Sequence, residues 1–293
     1  MNSDSVFMIG STHEVCQDYA VSGKSADRHF AILSDGCSAA EDSDIGSRIL
    51  TKVAEDLLLK TVADTENCDT FSKEFKDVAK VAASNSETIT RSLKISKYSI
   101  DATLMYIVAE NGNVLATMCG DGVIVFGNAD KTYSIVEVDY QEGYPRYPSY
   151  DNSGERKQLF DDETGNICRI RHIHVDADFE IITDVTEIPK DNTCFSACRS
   201  SNAETDMPIK FAAILSDGIH TFHKKVNNGT SIYNSPIPFL SVLKELMTFK
   251  GFVGRFVHRR VNKFVSECND PKNQKYGWKH ADDLSVAVVY AGE

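Results

Sequence analysis

Long apolar runs are missing from this 293-residue chain, and so are a basic start and any cluster of lysines and arginines. No segment approaches the roughly 18 uninterrupted apolar residues of a membrane helix, which excludes a helical membrane protein. The opening "MNSDSVFMIGSTHEVCQ" has neither the basic patch nor the apolar core of a secretory signal. A formal net charge of −12 argues against a nucleic-acid backbone as partner, because such binding draws on clustered cations to release counterions. The eight cysteines form no compact framework. Cys194 and Cys198, the nearest pair, have no second pair to complete a zinc site, so the cysteines read as ordinary thiols. No stretch rich in Gly, Ser or Pro divides the chain. The expectation is a cytoplasmic protein, a single domain over residues 1–293, with neither membrane nor nucleic acid as partner.

Hydrophobic residues make up 42% of the sequence, enough to bury a core, and their period changes along the chain. Ile45, Ile49, Val53 and Leu57 recur at four-residue spacing, with Leu50, Ala54 and Leu58 beside them, which predicts an amphipathic helix starting near Asp42 or Ser43. Phe71, Phe75, Val78, Ala82, Ile89 and Leu93 predict a second. Between Ile100 and Val138 the pattern becomes short strands separated by "NG", "GDG" and "NADK", turn chemistries of an antiparallel meander. Residues 139–168 are polar and without clear period, and read as an irregular flap. Strands follow at "RIRHIHV" and "FEIITDV", a loop at 189–208, helices near 237–248 and 252–267, and a final strand "DDLSVAVVY". Grouped strands and paired helices without a βαβα rhythm indicate an α+β layered fold.

The phrase "AILSDG" occurs twice, ending on Asp35 and Gly36 and again on Asp217 and Gly218. Each time an apolar strand delivers a carboxylate to its end, and Asp282 with Asp283 stands at the start of another. Two unit charges about 4 Å apart repel by roughly 4 kcal/mol at an effective dielectric near 20. If such strand ends adjoin, the carboxylates call for protons or a cation, and hard oxygen ligands select Mg²⁺ or Mn²⁺. On its own each "SDG" is also a common strand end and turn. Asp121 in "CGDG" reads as a turn residue. His172 and His174 alternate along a strand and read as surface or structural residues. Cys37 has no basic phosphate-cradling loop around it and does not read as a nucleophile.

Order and spacing go further. "GSTHEVCQDYA", "AILSDGCSAAEDSDIGSRIL", "DATLMYIVAENGNVLATMCGDGVIVFG", "AAILSDGIHTF" and "HADDLSVAVV", in that order, resemble the metal-dependent protein phosphatase 2C family in its shorter bacterial style. The resemblance implies a four-layer α-β-β-α sandwich, two antiparallel sheets flanked by helix pairs. It also implies hydrolysis of phosphoserine and phosphothreonine by a water activated by two Mn²⁺ or Mg²⁺ ions. By motif, Asp35 and the Gly36 carbonyl would be metal ligands, joined by Asp217 and Asp282, with Asp18 orienting waters from behind. His13 stands where the family commonly has a phosphate-binding Arg, and Thr221 where it often has a further acid. The implied partner is a phosphorylated protein made by a cognate serine/threonine kinase, a signalling role. Retention of the core aspartates favours an enzyme; the missing Arg and acid favour a non-catalytic phosphoprotein-binding module. A phosphatase of small molecules is a third reading.

Overall fold

A computed structural model describes residues 1–61, 67–140, 145–164, 168–190, 194–202, 208–227 and 232–292. In chain order the elements are β1 (Asn2–Met8), β2 (Tyr19–Ser25), β3 (Arg28–Ser34), α1 (Ser43–Lys60), α2 (Cys68–Phe75), α3 (Val78–Leu93), β4 (Leu104–Glu110) and β5 (Asn113–Cys119). There follow β6 (Gly122–Asn128), β7 (Tyr133–Tyr140), α4 (Gly154–Thr164), β8 (Cys168–Val175), β9 (Ile181–Lys190), β10 (Cys194–Ser200) and β11 (Ile209–Leu215). The chain closes with β12 (Phe222–Asn227), β13 (Ile232–Pro236), α5 (Phe239–Met247), α6 (Phe256–Asn269), β14 (Trp278–His280) and β15 (Leu284–Tyr290).

The larger sheet runs β1-β15-β11-β6-β7-β8-β9 and the second β10-β5-β4-β3-β2, every pair antiparallel. Side-chain alternation explains why the runs Phe30–Leu33 of β3 and Phe211–Leu215 of β11 are continuously apolar: both of their faces are covered. Ala31 and Leu33 of β3 meet Ala212 and Ile214 of β11 in a core between the sheets. Phe30 and Ile32 face the other way, into a layer with Leu50, Ala54 and Leu58 of α1 and Phe71 and Phe75 of α2. Phe211, Ala213 and Leu215 pack outward against Val242 and Leu246 of α5 and Val257 and Val261 of α6. Three apolar layers therefore separate four layers of structure, as the α-β-β-α expectation requires.

Several sequence readings need correction. The stretch from Ile100 to Val138 is not one meander: β4 and β5 form a hairpin in the smaller sheet, β6 and β7 one in the larger, and Gly120–Asp121 carries the chain between them. Gly120 makes this crossing with φ +107, a conformation open to glycine, and a Cβ there would stand 2.7 Å from Thr103 Cγ2. The second helix is two, α2 and α3, joined at Lys76–Asp77, and Leu93 is left exposed. In α1 the buried stripe runs through Leu50, Ala54 and Leu58, with Ile45 exposed. In α6, Val257 and Val261 are buried whereas Val265 is exposed. The 139–168 excursion contains α4, and the 189–208 loop contains β10; residues 141–144, 165–167, 191–193 and 203–207 lie outside the described residues. Cys119 and Cys194, 75 residues apart, face each other across β5 and β10 and form a disulfide, contrary to the thiol reading. Among the described residues no helix is long and apolar enough to cross a membrane.

Candidate active site

The two "AILSDG" strands are not neighbours at one sheet edge. β3 belongs to the smaller sheet and β11 to the larger, and they end side by side because the sheets pack face to face. At that end of the sandwich a cleft of about 450 Å³ is lined by Asp35, Gly36, Asp121, Asp217 and Asp282, with Cys37 and Tyr147 in its wall. The carboxylates come from the ends of β3, β11 and β15 and from the crossing after β5. None is adjacent to another in sequence.

Asp35 is fixed by its backbone. Its N–H donates to Thr103 Oγ1 at 3.0 Å and its carbonyl accepts from Thr103 N at 2.8 Å, which continues the β3–β4 ladder past the strand end. Gly36 bridges to Ala102, and a Cβ there would lie 2.8 Å from the Ser43 carbonyl oxygen at the start of α1. Asp217 opens a short 3-10 turn, residues 217–221, whose Thr221 hydroxyl donates to the Gly218 carbonyl at 2.8 Å. The same oxygen accepts from Ala281 N at 3.1 Å and Asp282 N at 3.2 Å. Thr221, standing where an acid was expected, thus ties the Asp217 turn to the Asp282 loop.

Behind these lies Asp18, fully buried, accepting from Ser216 Oγ at 2.8 Å. Removal from water pushes its carboxyl up to about 7, against the hydrogen bond from Ser216. The same desolvation raises Asp35 well above the carboxylate range, with the charges of Asp18 and Asp217 adding to it. Asp217 and Asp121 are raised too, first by desolvation, then by neighbouring carboxylates. Oδ1 of Asp18 and Oδ1 of Asp217 are buried with no hydrogen-bond partner. Buried carboxylates that repel one another and leave oxygens unpaired suit a cation. Among the described residues no three His, Cys, Asp or Glu side chains converge closely enough to enclose an ion alone. Ions that keep several waters need fewer protein ligands, so the donor set fits Mg²⁺ or Mn²⁺ with a partly aqueous shell.

His13 sits beside the carboxylates at the start of β15. Its Nδ1 stands 3.0 Å from Asp283 Oδ2 and its Nε2 3.5 Å from Asp282 Oδ1. Burial opposes its charge, but contact with Asp283 and the charges of Asp282 and Asp18 outweigh that and raise its pKa. Asp283 is buried and committed elsewhere, accepting from Gly10 N at 2.7 Å and Gln17 N at 2.6 Å. Asp282 is the more exposed of the two, with 41% of its side chain accessible.

The sequence reading missed Asp121 as a cleft residue and missed the wall formed by Tyr147 and Tyr150. The Tyr147 hydroxyl lies against Cys37, and burial holds it protonated, so it presents an O–H donor at neutral pH. The wall is anchored to Asp101: Ser149 Oγ donates to Oδ1 at 2.7 Å and Arg156 pairs with Oδ2. Arg156 also lies over the Tyr150 and Tyr98 rings, at 4.5 and 5.0 Å. The repeated "SDG" gave no hint of this wall, whose side chains meet the cleft only after residues 145–152 fold back over α3. His172 and His174 are remote: His172 meets Phe195 edge-on at 5.9 Å, and His174 Nδ1 lies 3.2 Å from Ser134 Oγ.

A double-sheet sandwich with a carboxylate-lined cleft at the end of its facing strands is the architecture of a class of phosphoester hydrolases, and the comparisons agree. The sequence model of the protein phosphatase 2C family matches residues 10–251. The chain belongs to that family, and its enzyme class is phosphoprotein phosphatase. Its fold is similar to that of a bacterial serine phosphatase, with 10% identity, a TM-score of 0.53 and coverage of 100% of this chain and 99% of the other. It is equally similar to serine/threonine phosphatase Stp1 from Staphylococcus aureus, with 11% identity, a TM-score of 0.53 and coverage of 100% and 96%. No curated protein matches the sequence.

Proposed function

We propose that the chain, acting as one catalytic unit over residues 1–293, hydrolyses phosphoserine and phosphothreonine in proteins with two divalent ions, Mn²⁺ or Mg²⁺. The observation that carries this reading is the convergence of Asp35, Asp121, Asp217 and Asp282 on one cleft from two different sheets. Asp35, the Gly36 carbonyl, Asp217 and Asp282 would hold the ions. When bound, the ions supply the positive charge that ionises water and neutralises phosphoryl oxygens.

The chain's own residues prepare that chemistry. Asp18 backs Asp35 from the interior and orients the donors around it. Thr221 keeps the Asp217 and Asp282 segments at a fixed separation. His13, between Asp282 and Asp283, holds a carboxylate in place, so phosphate binding passes to other groups. Tyr147 narrows the cleft and offers its O–H. The substrate is a phosphorylated protein, the product of a cognate kinase, met in the cytoplasm.

The test is phosphate release from a phosphothreonine peptide with Mn²⁺ or with chelator, comparing wild type and Asp217→Asn. We expect metal-dependent turnover that falls about 100-fold or more in the variant, the scale of losing a preorganised electrostatic contact. Absence of turnover by the wild type across the neutral range would favour the phosphoprotein-binding module instead. Faster hydrolysis of small phosphate esters than of any phosphopeptide would move the substrate class.

A further inference from the structure

Residues 145–152 have two faces. Pro145, Tyr147 and Tyr150 line the catalytic cleft, whereas Arg146, Pro148 and Asp151 line a separate pocket of about 180 Å³. Lys76 and Lys80, from the α2–α3 junction, stand on its rim, and Cys119 and Cys194 complete the lining. Those two cysteines form the disulfide that joins β5 to β10. Cys119 is a buried residue and Cys194 an exposed one, and both line the pocket.

We propose that Cys119–Cys194 is a thiol–disulfide exchange site for anionic low-molecular-weight thiols, entered through this pocket, and that the state of the bond alters the cleft wall. The second half of the proposal rests on the phosphatase reading; the exchange itself does not.

The electrostatics favour the reaction. Lys76, Lys80 and Arg146 outnumber Asp77 and Asp151 around the pocket, and Arg146 is paired with Asp151. Ala79, at the N-terminus of the 16-residue α3, also lines it, which places the positive end of the helix dipole there. Positive surroundings attract a thiolate and stabilise the one that leaves. The incoming thiolate attacks Sγ of Cys194: an S–S bond forms between them, the Cys119–Cys194 bond breaks, and its electron pair departs on Cys119 Sγ, which is then protonated. A second thiol attacks the mixed disulfide and releases Cys194 as a thiol and the small molecule as its disulfide. Two electrons and two protons pass from two small thiols to two cysteines, and the small disulfide reverses the step. In a cytosolic chain, as the sequence reading expects, disulfides are mostly transient and redox-sensing.

The coupling to the cleft is short. Asp121 lies two residues beyond Cys119, across Gly120. Among the described residues edge strand β10 pairs with β5 alone, so the disulfide is the covalent part of that attachment. Breaking it frees β10 to shift and relaxes the pocket, whose wall at Arg146 and Pro148 is the back of the wall that Tyr147 presents to the cleft.

The experiment counts thiols and turnover together, on full-length protein purified without reductant. Alkylation after denaturation should label six of the eight cysteines, and peptide mapping should place the remaining two at Cys119 and Cys194. Glutathione added to the native protein should raise the count to eight. Lys76→Ala with Lys80→Ala should slow that step several-fold for glutathione, whose carboxylates add to its thiolate charge, and less for mercaptoethanol, which carries the thiolate charge alone. The reduced wild type and Cys194→Ser should share a KM for the phosphothreonine peptide that differs several-fold from the oxidised form, and oxidised glutathione should restore the wild type alone. Eight labelled cysteines at the outset, a bond that withstands glutathione, or equal rates in the lysine variant would overturn the exchange site. Unchanged KM after reduction would overturn the coupling. Exchange as described without turnover in either state would instead remove the phosphatase reading and leave the exchange site standing.

Discussion

At Gly218 the backbone has no room for a side chain: a Cβ would lie 1.7 Å from the Asp283 carbonyl oxygen. Gly218→Ala must therefore push the Asp217 turn away from the Asp282 loop. We expect a loss of about 1–3 kcal/mol in denaturant unfolding, the usual scale for overpacking, together with a lower kcat. Thr221 works by polarity at the same junction. Thr221→Val keeps the shape but leaves Ala281 N and Asp282 N without their acceptor. Stability should fall by about 1–3 kcal/mol, and the Mn²⁺ concentration for half-maximal phosphate release should rise. An unaltered Mn²⁺ requirement would show that the two aspartate segments hold their separation without it.

The wall over the cleft is anchored at Asp101. Arg156 joins it to Asp101 and stacks on Tyr150 and Tyr98, so Arg156→Ala should destabilise it by about 1.5–3 kcal/mol, the range for hydrogen bonds to charged groups. Limited proteolysis should then cut between residues 145 and 164 faster than in the wild type, with KM affected more than kcat. Between the two sheets β8 meets edge strand β10 through His172 and Phe195. Burial lowers the His172 pKa below the ordinary 6.5, helped by the charges of His174 and Arg199. A lowered histidine lets the unfolded chain bind the proton more readily, so stability is held above pH 6.5 and declines as pH falls through that value. His172→Gln should remove this contribution: the difference in melting temperature between variant and wild type should shift in the variant's favour from pH 8 to pH 5.

For the whole molecule, the crowded carboxylates are a cost that cations offset. An ion that binds the folded chain alone stabilises it by RT ln(1 + [L]/Kd), about 2.7 kcal/mol at a hundred times Kd. Mn²⁺ should raise the melting temperature over chelator, and Asp217→Asn should reduce that rise. The charge of −12 makes the chain's field attractive to cations, but it selects no particular protein substrate.

Much of this was legible in the chain itself. Strand β3, the terminal strand β15, helix α1 and the three aspartates at strand ends follow from local period and from short motifs, because apolar alternation and turn chemistry act over a few residues. Motif order sufficed for the family. What no local pattern contains is which strands face each other. The identical phrases before Asp35 and Asp217 look like neighbours in one sheet, and only sheet-on-sheet packing puts them in different ones. Asp121 reads as a turn until the crossing between sheets turns it into the cleft. Cys119 and Cys194 read as separate thiols until β10, hidden in a polar stretch, takes its register on β5. His13 stands five residues before Asp18 in the chain, yet its partners are 269 and 270 positions away at Asp282 and Asp283. The sequence alone determined the elements and the carboxylates they deliver; tertiary packing decided which groups meet, since burial and charge act through space between residues that the chain keeps far apart.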